Sequence, residues 1–233
     1  MKDVKLNTVR QQLVQAALAC GALQLGNFTL KSGRPSPYFF NAGKFLNEGG
    51  AWQALCQAYA AVLEQRFAAK ADVVFGPAYK GIPLAAGILA SVKTMPVLAN
   101  KPAIRLGMAF DRKEEKDHGE GGLLVGADMQ GKRVLIVDDV LTAGKASGHA
   151  ATLVQQAGGM VVGLLIAMDR EEWVTEADKT VSAAQAFTNR TGVPVASLLT
   201  ANSLADTLAS MGQDYAPQVA AIRSHLATYG MVK

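Results

Sequence analysis

The chain has 233 residues, half of them hydrophobic, 18% charged, with a formal net charge of +4 and two cysteines. That is enough apolar material for a full core in one domain, so a disordered or disulfide-stapled chain is excluded. No apolar run is long enough to span a bilayer, and Met1 to Arg10 is too polar for a signal peptide, so a cytoplasmic, reducing setting is expected. The modest positive charge suits nucleic acid and a small polyanionic substrate equally, and no arginine-rich stripe favours the former.

In chain order, Asn7 to Cys20 reads as an amphipathic helix capped by Asn7, with Val9, Leu13, Val14, Ala17 and Leu18 on one face. From Leu25 to Asn41, Phe28 and Leu30 alternate with polar residues, a Gly/Pro turn follows, and an aromatic strand returns, which predicts a hairpin. Phe39 and Phe40 are adjacent and must face opposite sides of that strand. They are either core aromatics or a wall for a flat heterocycle.

A second helix is expected over Gly50–Ala68, then a short buried strand, Asp72–Phe75, which ends in Gly76-Pro77-Ala78-Tyr79-Lys80-Gly81. The small-residue segment Ile82–Val92 reads as a helix. Lys80 therefore sits in a strand–loop–helix turn, either solvated or facing a diphosphate. Pro96 to Phe110 reads as extended. It runs into Asp111 to Gly122, almost devoid of apolar residues, which carries Arg112, Lys113, Lys116 and His118. That stretch is either a solvated loop or a lid over an anionic substrate.

The chain's central unit is Val134 to Ser147. Four apolar residues predict a strand buried on both faces; Asp138 and Asp139 end it, and Thr142-Ala143-Gly144-Lys145 leads into a helix reaching about Ala157. Backbone N–H groups converging at a helix N-terminus attract phosphate, and two adjacent carboxylates need sugar hydroxyls or a cation. The pair could also merely cap the helix. Neither G-x-x-x-x-G-K-[ST] nor G-x-G-x-x-G after a strand is present. A further buried strand, Val161–Met168, ends in Asp169-Arg170-Glu171-Glu172, where Arg170 could hold a carboxylate or imide, or pair at the surface. Helix Val181–Arg190, strand Val193–Leu199 and helices near Ser203–Met211 and Pro217–Tyr229 complete the chain.

The apolar strand followed by Asp-Asp and Thr-Ala-Gly resembles the phosphoribosyl diphosphate (PRPP) motif of type I phosphoribosyltransferases. With Phe28–Gly33, Ser36–Gly43, Phe75–Pro83 and the Arg112–Gly121 run, the whole chain resembles the orotate-specific members of that family. The resemblance implies an α/β fold with a mainly parallel sheet flanked by helices. It implies one domain: a hood over about 1–48, a core over about 49–200, and C-terminal helices over 201–233. It implies transfer of phosphoribosyl from PRPP to orotate in pyrimidine biosynthesis.

By resemblance, Lys31, Tyr79, Lys80, Arg112, Lys113, Lys116, His118, Asp138, Asp139, Val140, Leu141, Thr142, Ala143, Gly144, Lys145 and Ala146 contact PRPP. Lys113, Lys116, His118, Asp138 and Asp139 are the catalytic set, and Phe39, Phe40, Thr142 and Arg170 take orotate. Mg²⁺ is implied, carried by PRPP near Asp138 and Asp139 rather than by a protein cage. So is a homodimer whose lids complete the partner's sites, with no nucleic acid or membrane partner. Two departures stand out. Lys145 occupies a place where small or hydroxyl residues are common, and Met95 to Phe110 is longer than usual.

Overall fold

The computed structural model describes residues 2–30, 32–68, 70–99, 106–112, 122–141 and 145–232, without the side chains of 2–5, 93–99 and 145–146. The chain opens with helix α1 (Lys2–Ala19) and the antiparallel hairpin β1 (Leu23–Thr29) and β2 (Pro35–Phe40). A short 3-10 helix, Ala42–Asn47, and α2 (Gly49–Arg66) lead to β3 (Val73–Phe75), α3 (Gly81–Ala99), β4 (Gly107–Asp111) and β5 (Leu124–Gly126). Then come β6 (Arg133–Val140), α4 (Lys145–Gln156), β7 (Met160–Asp169), a small hairpin β8 (Trp173–Thr175) and β9 (Asp178–Ser182), and α5 (Ala183–Thr191). The chain ends with β10 (Val195–Thr200), α6 (Ala201–Met211) and α7 (Ala216–Tyr229).

Six strands form one sheet in the order β10-β7-β6-β3-β4-β5, parallel except for the edge pair β4–β5. The unbroken apolar runs explain why it is buried on both sides. Alternate residues part into two cores. Val74, Leu135, Val137, Leu165 and Ala167 pack with residues of α1, α2, α3 and α6, such as Leu13, Leu63, Ile88 and Leu204. Val73, Phe75, Val134, Ile136, Leu164 and Ile166 pack with Ala150, Ala151 and Val154 of α4 and Phe187 of α5.

This topology places the site. From β3 the chain crosses through α3 to β4 on one side; from β6 it crosses through α4 to β7 on the other. The strand order thus reverses between β3 and β6, and loops leaving their carboxyl ends part to opposite faces and leave a crevice.

Three expectations need correction. Helix α1 starts at Lys2, so Asn7 lies within it and does not cap it; residues 2–6 contain no Gly or Pro to stop the helix earlier. Pro96 to Ala99 is helical rather than extended, because the apolar spacing through Ala85, Ile88, Val92, Met95 and Ala99 continues unbroken. Val181 and Ser182 belong to β9, and α5 begins at Ala183, because the Ser182 hydroxyl accepts from the Gln185 backbone N–H and caps the helix there.

One buried contact ties the core to the crevice. Tyr59 of α2 is fully buried, and its hydroxyl donates to the Asp138 carbonyl over 2.7 Å. Tyr59→Phe keeps the ring and removes that donor. It should lower the unfolding free energy by about 1 kcal/mol, read as a shifted urea midpoint at unchanged slope; an unchanged midpoint would show that the bond contributes nothing net.

Candidate functional site

The loop after β3 is built backbone against backbone. A Cβ on Gly76 would run into the Gly81 carbonyl oxygen, and one on Gly81 would lie 2.6 Å from the Gly76 carbonyl carbon, so neither position has room for a side chain. The Gly81 N–H donates to the Pro77 carbonyl (2.9 Å) and the Gly76 N–H to Ala109 (3.0 Å). Asp111, buried at the end of β4, accepts from the Ala78 N–H over 2.7 Å. The loop's shape thus presents Tyr79, 66% exposed, and Lys80 at the crevice.

Across the crevice, Lys80 Nζ lies 2.7 Å from Asp139 Oδ2, joining the loop that leaves β3 to the end of β6. The other Asp139 oxygen accepts from the Val140 N–H at 2.9 Å. Asp138 accepts from the Asp139 N–H (2.9 Å) and from the Ser147 hydroxyl on α4 (3.2 Å). Burial, aided by the neighbouring Asp139 charge, pushes the Asp138 carboxyl up to about 6. A shallow recess lined by Ala42, Gly43, Trp52, Lys80 and Asp139 extends this site toward the segment that follows β2.

The second cluster lies at the end of β7. Arg170 donates through Nε to Glu172 Oε1 (2.8 Å) and through Nη2 to the Ser36 hydroxyl of β2 (2.7 Å). Its guanidinium sits 4.4 Å from the centre of the Tyr38 ring. Glu172 also meets His225 Nε2 of α7 (3.0 Å) and Arg34 Nη1 (3.5 Å). Burial alone would raise its carboxyl; the bond from His225 and the charge and bond from Arg170 outweigh that and hold it below the ordinary glutamate value. On β2, Phe39 turns outward, 40% exposed, with its ring 5.8 Å from Phe28, whereas Phe40 packs against Phe45.

Of the residues singled out in sequence, Tyr79, Lys80, Asp138 and Asp139 converge at the switch point; Val140 ends β6 and Leu141 follows it. Arg112 lies just beyond β4, its N–H donating to the Leu123 carbonyl over 2.7 Å. Arg170 stands at the end of β7 against the hairpin, bonded to Ser36. Lys31, Lys113, Lys116, His118, Thr142, Ala143 and Gly144, and the side chains of Lys145 and Ala146, lie outside the described residues.

Sequence reasoning did not single out Asp111, Ser147, Ser36, Glu172 or His225. Ser36 and Glu172 lie inside quoted motifs, Ser147 at the end of the central unit. His225 is a lone histidine in a C-terminal helix, and nothing in its neighbourhood marks it.

A family model described as the phosphoribosyl transferase domain matches residues 46–207, so the chain belongs to the phosphoribosyltransferases. An orotate phosphoribosyltransferase of Stenotrophomonas maltophilia is 47% identical over 223 residues, 94% of each chain. One from Acinetobacter baumannii is 43% identical over 221 residues, covering 95% of this chain and 96% of that one. The crystal structure of the Francisella tularensis orotate phosphoribosyltransferase superposes with a TM-score of 0.76 at 35% identity, covering 93% of this chain and 98% of that one. Within its class, the chain belongs to the orotate phosphoribosyltransferase family.

The raised Asp138 carboxyl has a consequence for the ligand-free chain. In the unfolded chain this group loses its proton near pH 4 and in the folded chain near pH 6, so the folded state binds the extra proton between them. Asp138 therefore costs stability as pH rises from roughly 4 to 6, and the cost is complete above that window. Asp138→Asn should remove this part of the slope in a chelator-treated sample followed by thermal melts, without loss of fold. A variant that melts early at every pH would instead make Asp138 a structural cap.

Proposed function

We propose that the chain transfers the phosphoribosyl group of PRPP to orotate, releasing diphosphate and giving orotidine 5′-phosphate for pyrimidine biosynthesis. The observation that carries this reading is the pairing of Lys80 with Asp139 at the topological switch point, with the Arg170 guanidinium held at the end of β7. A lysine opposite two carboxylates suits a substrate with both a diphosphate and sugar hydroxyls. A guanidinium stacked on the buried Tyr38 ring suits a planar base that bears a carboxylate.

In the reaction, the bond from the ribose C1 carbon to diphosphate breaks as the bond from C1 to orotate N1 forms. The bonding pair leaves with diphosphate, which takes up the N1 proton. Lys80 and Tyr79 face the leaving group, and Lys80 exchanges its bond to Asp139 for the diphosphate oxygens. Asp138 and Asp139 hold the ribose hydroxyls, and their charge opposes the positive charge that develops on the sugar. The loop from Thr142 to Ala146 and Lys31 take the phosphates. Phe39, Phe40 and Thr142 border the base, and Arg170 takes its carboxylate. The protein supplies no nucleophile; its contribution is placement and field.

Among the described residues no three His, Cys, Asp or Glu side chains cluster to hold a metal. Asp138 and Asp139 would border a hard cation brought by the substrate's own oxygens, which is how Mg²⁺ is ordinarily held. Mg²⁺ bound with PRPP supplies charge neutralisation of the diphosphate.

The protein acts as a homodimer in which Arg112, Lys113, Lys116 and His118 of one subunit close over the other's site, without nucleic acid or membrane. It works in the reducing cytoplasm. Cys20 and Cys56 are free, and no described helix is long and apolar enough to cross a membrane.

Loss of orotate absorbance that requires both PRPP and Mg²⁺ is the expected result, with no turnover of hypoxanthine or adenine. Arg170→Ala should raise the orotate KM steeply at unchanged PRPP KM, a loss on the order of 2–5 kcal/mol. Turnover of a purine instead, or an orotate KM unmoved by that substitution, overturns the assignment.

Subunit sharing has its own test. A variant with Lys113→Ala and Lys116→Ala is mixed with one carrying Asp138→Asn and Asp139→Asn, each nearly inactive alone. Random reassembly should restore about a quarter of wild-type activity, since each mixed dimer holds one intact site. Confirmed mixed dimers without recovery would show that each lid serves its own subunit.

A further inference from the structure

Arg170 and Glu172 lie within the stretch shared with phosphoribosyltransferases at large, residues 46–207, but the groups that fix them do not. Ser36 and Arg34 come from the N-terminal hairpin and His225 from α7. The N-terminal hairpin and α7 therefore meet on the Arg170–Glu172 pair.

Arg170 is constrained three ways. Nε is committed to Glu172 and Nη2 to Ser36, and the Tyr38 ring lies under the guanidinium at 4.4 Å. Those contacts fix its plane and leave Nη1 with no partner among the described residues. Glu172 is the hub of this arrangement: Oε1 accepts from Arg170 and meets His225, while Oε2 meets Arg34. Its side chain is only 9% exposed, and that of His225 only 5%. Arg34 is itself clamped, stacked 3.7 Å above the centre of the Trp173 ring and donating to the Trp173 carbonyl at 2.7 Å. Without Glu172, two guanidinium groups would share this corner without the carboxylate that holds them, and Arg170 would lose the bond that sets its direction.

We propose that Glu172, anchored by His225 of the C-terminal helix, is a positioning residue for base selection: it aims Arg170 at the carboxylate of the incoming base. The inference rests on the reading that Arg170 takes that carboxylate. A bidentate hold requires both donors in one plane, so loss of aim should weaken base binding and leave PRPP binding alone.

The test compares orotate and PRPP KM for Glu172→Gln, His225→Phe, His225→Gln and Arg170→Ala in the full-length protein, with urea unfolding of each as a separate readout. Glu172→Gln keeps the shape and removes the charge; it should raise the orotate KM roughly tenfold at unchanged PRPP KM. His225→Phe should act in the same direction, whereas His225→Gln, which restores a donor to Glu172, should return the orotate KM toward wild type. This pair carries the test alone should Glu172→Gln not fold. Equal rises in both KM values, or identical values for the two His225 variants, would make the cluster structural only and overturn the proposal. If Arg170→Ala raises the orotate KM while Glu172→Gln and His225→Phe do not, the positioning role falls and the base-site reading stands. If Arg170→Ala leaves it unchanged, both fall.

Discussion

Two adjacent carboxylates at the end of a doubly buried strand are costly to keep charged, and the crevice is arranged around meeting that cost. Asp139 is satisfied by Lys80 at 2.7 Å and by the Val140 N–H; Asp138 has a hydroxyl and a backbone N–H and remains hard to ionise. The Lys80 ammonium reaches across only because the β3 loop folds onto itself at Gly76 and Gly81 and is pinned by Asp111. The loop's geometry, the sheet's strand order and the charge balance of the site are thus one constraint. A substrate bearing anionic oxygens and hydroxyls can take over the roles that Lys80 and the carboxylates play for each other. The site is preorganised by partners it can exchange.

Much of this was legible in the sequence because the signals were local. Val134 to Val137 announce a doubly buried strand by composition alone, and Asp138-Asp139 and Lys80 are placed by the strand ends they follow. The core could be assigned in outline for the same reason, since periods of two and of 3.6 are visible within a dozen residues. Errors arose where two readings shared a pattern. Pro96 looks like a helix stop but does not outweigh the apolar spacing around it, and Val181 looks helical until Ser182 caps the helix beyond it.

The rest was illegible because it depends on distant partners. Nothing near Glu172 shows that it will meet a histidine 53 residues later, or that Arg170 will reach a serine 134 residues earlier. Such pairings arise from the placement of the hairpin and α7 at the carboxyl end of β7, a property of the assembled sheet. Motif reading picked out Lys80, Asp138, Asp139 and Arg170 and missed Ser36, Glu172 and His225, which surround Arg170.

The same long-range pairing bears on the order in which the protein is made. The Lys80–Asp139 half of the crevice joins residues 59 positions apart and can form once β3, β6 and their helices have emerged. The Arg170 corner needs Ser36 of the hairpin and His225 of α7, so it closes only after α7 has emerged. A nascent chain can therefore assemble the Lys80–Asp139 pair well before the Arg170 corner. That corner is completed only together with α7.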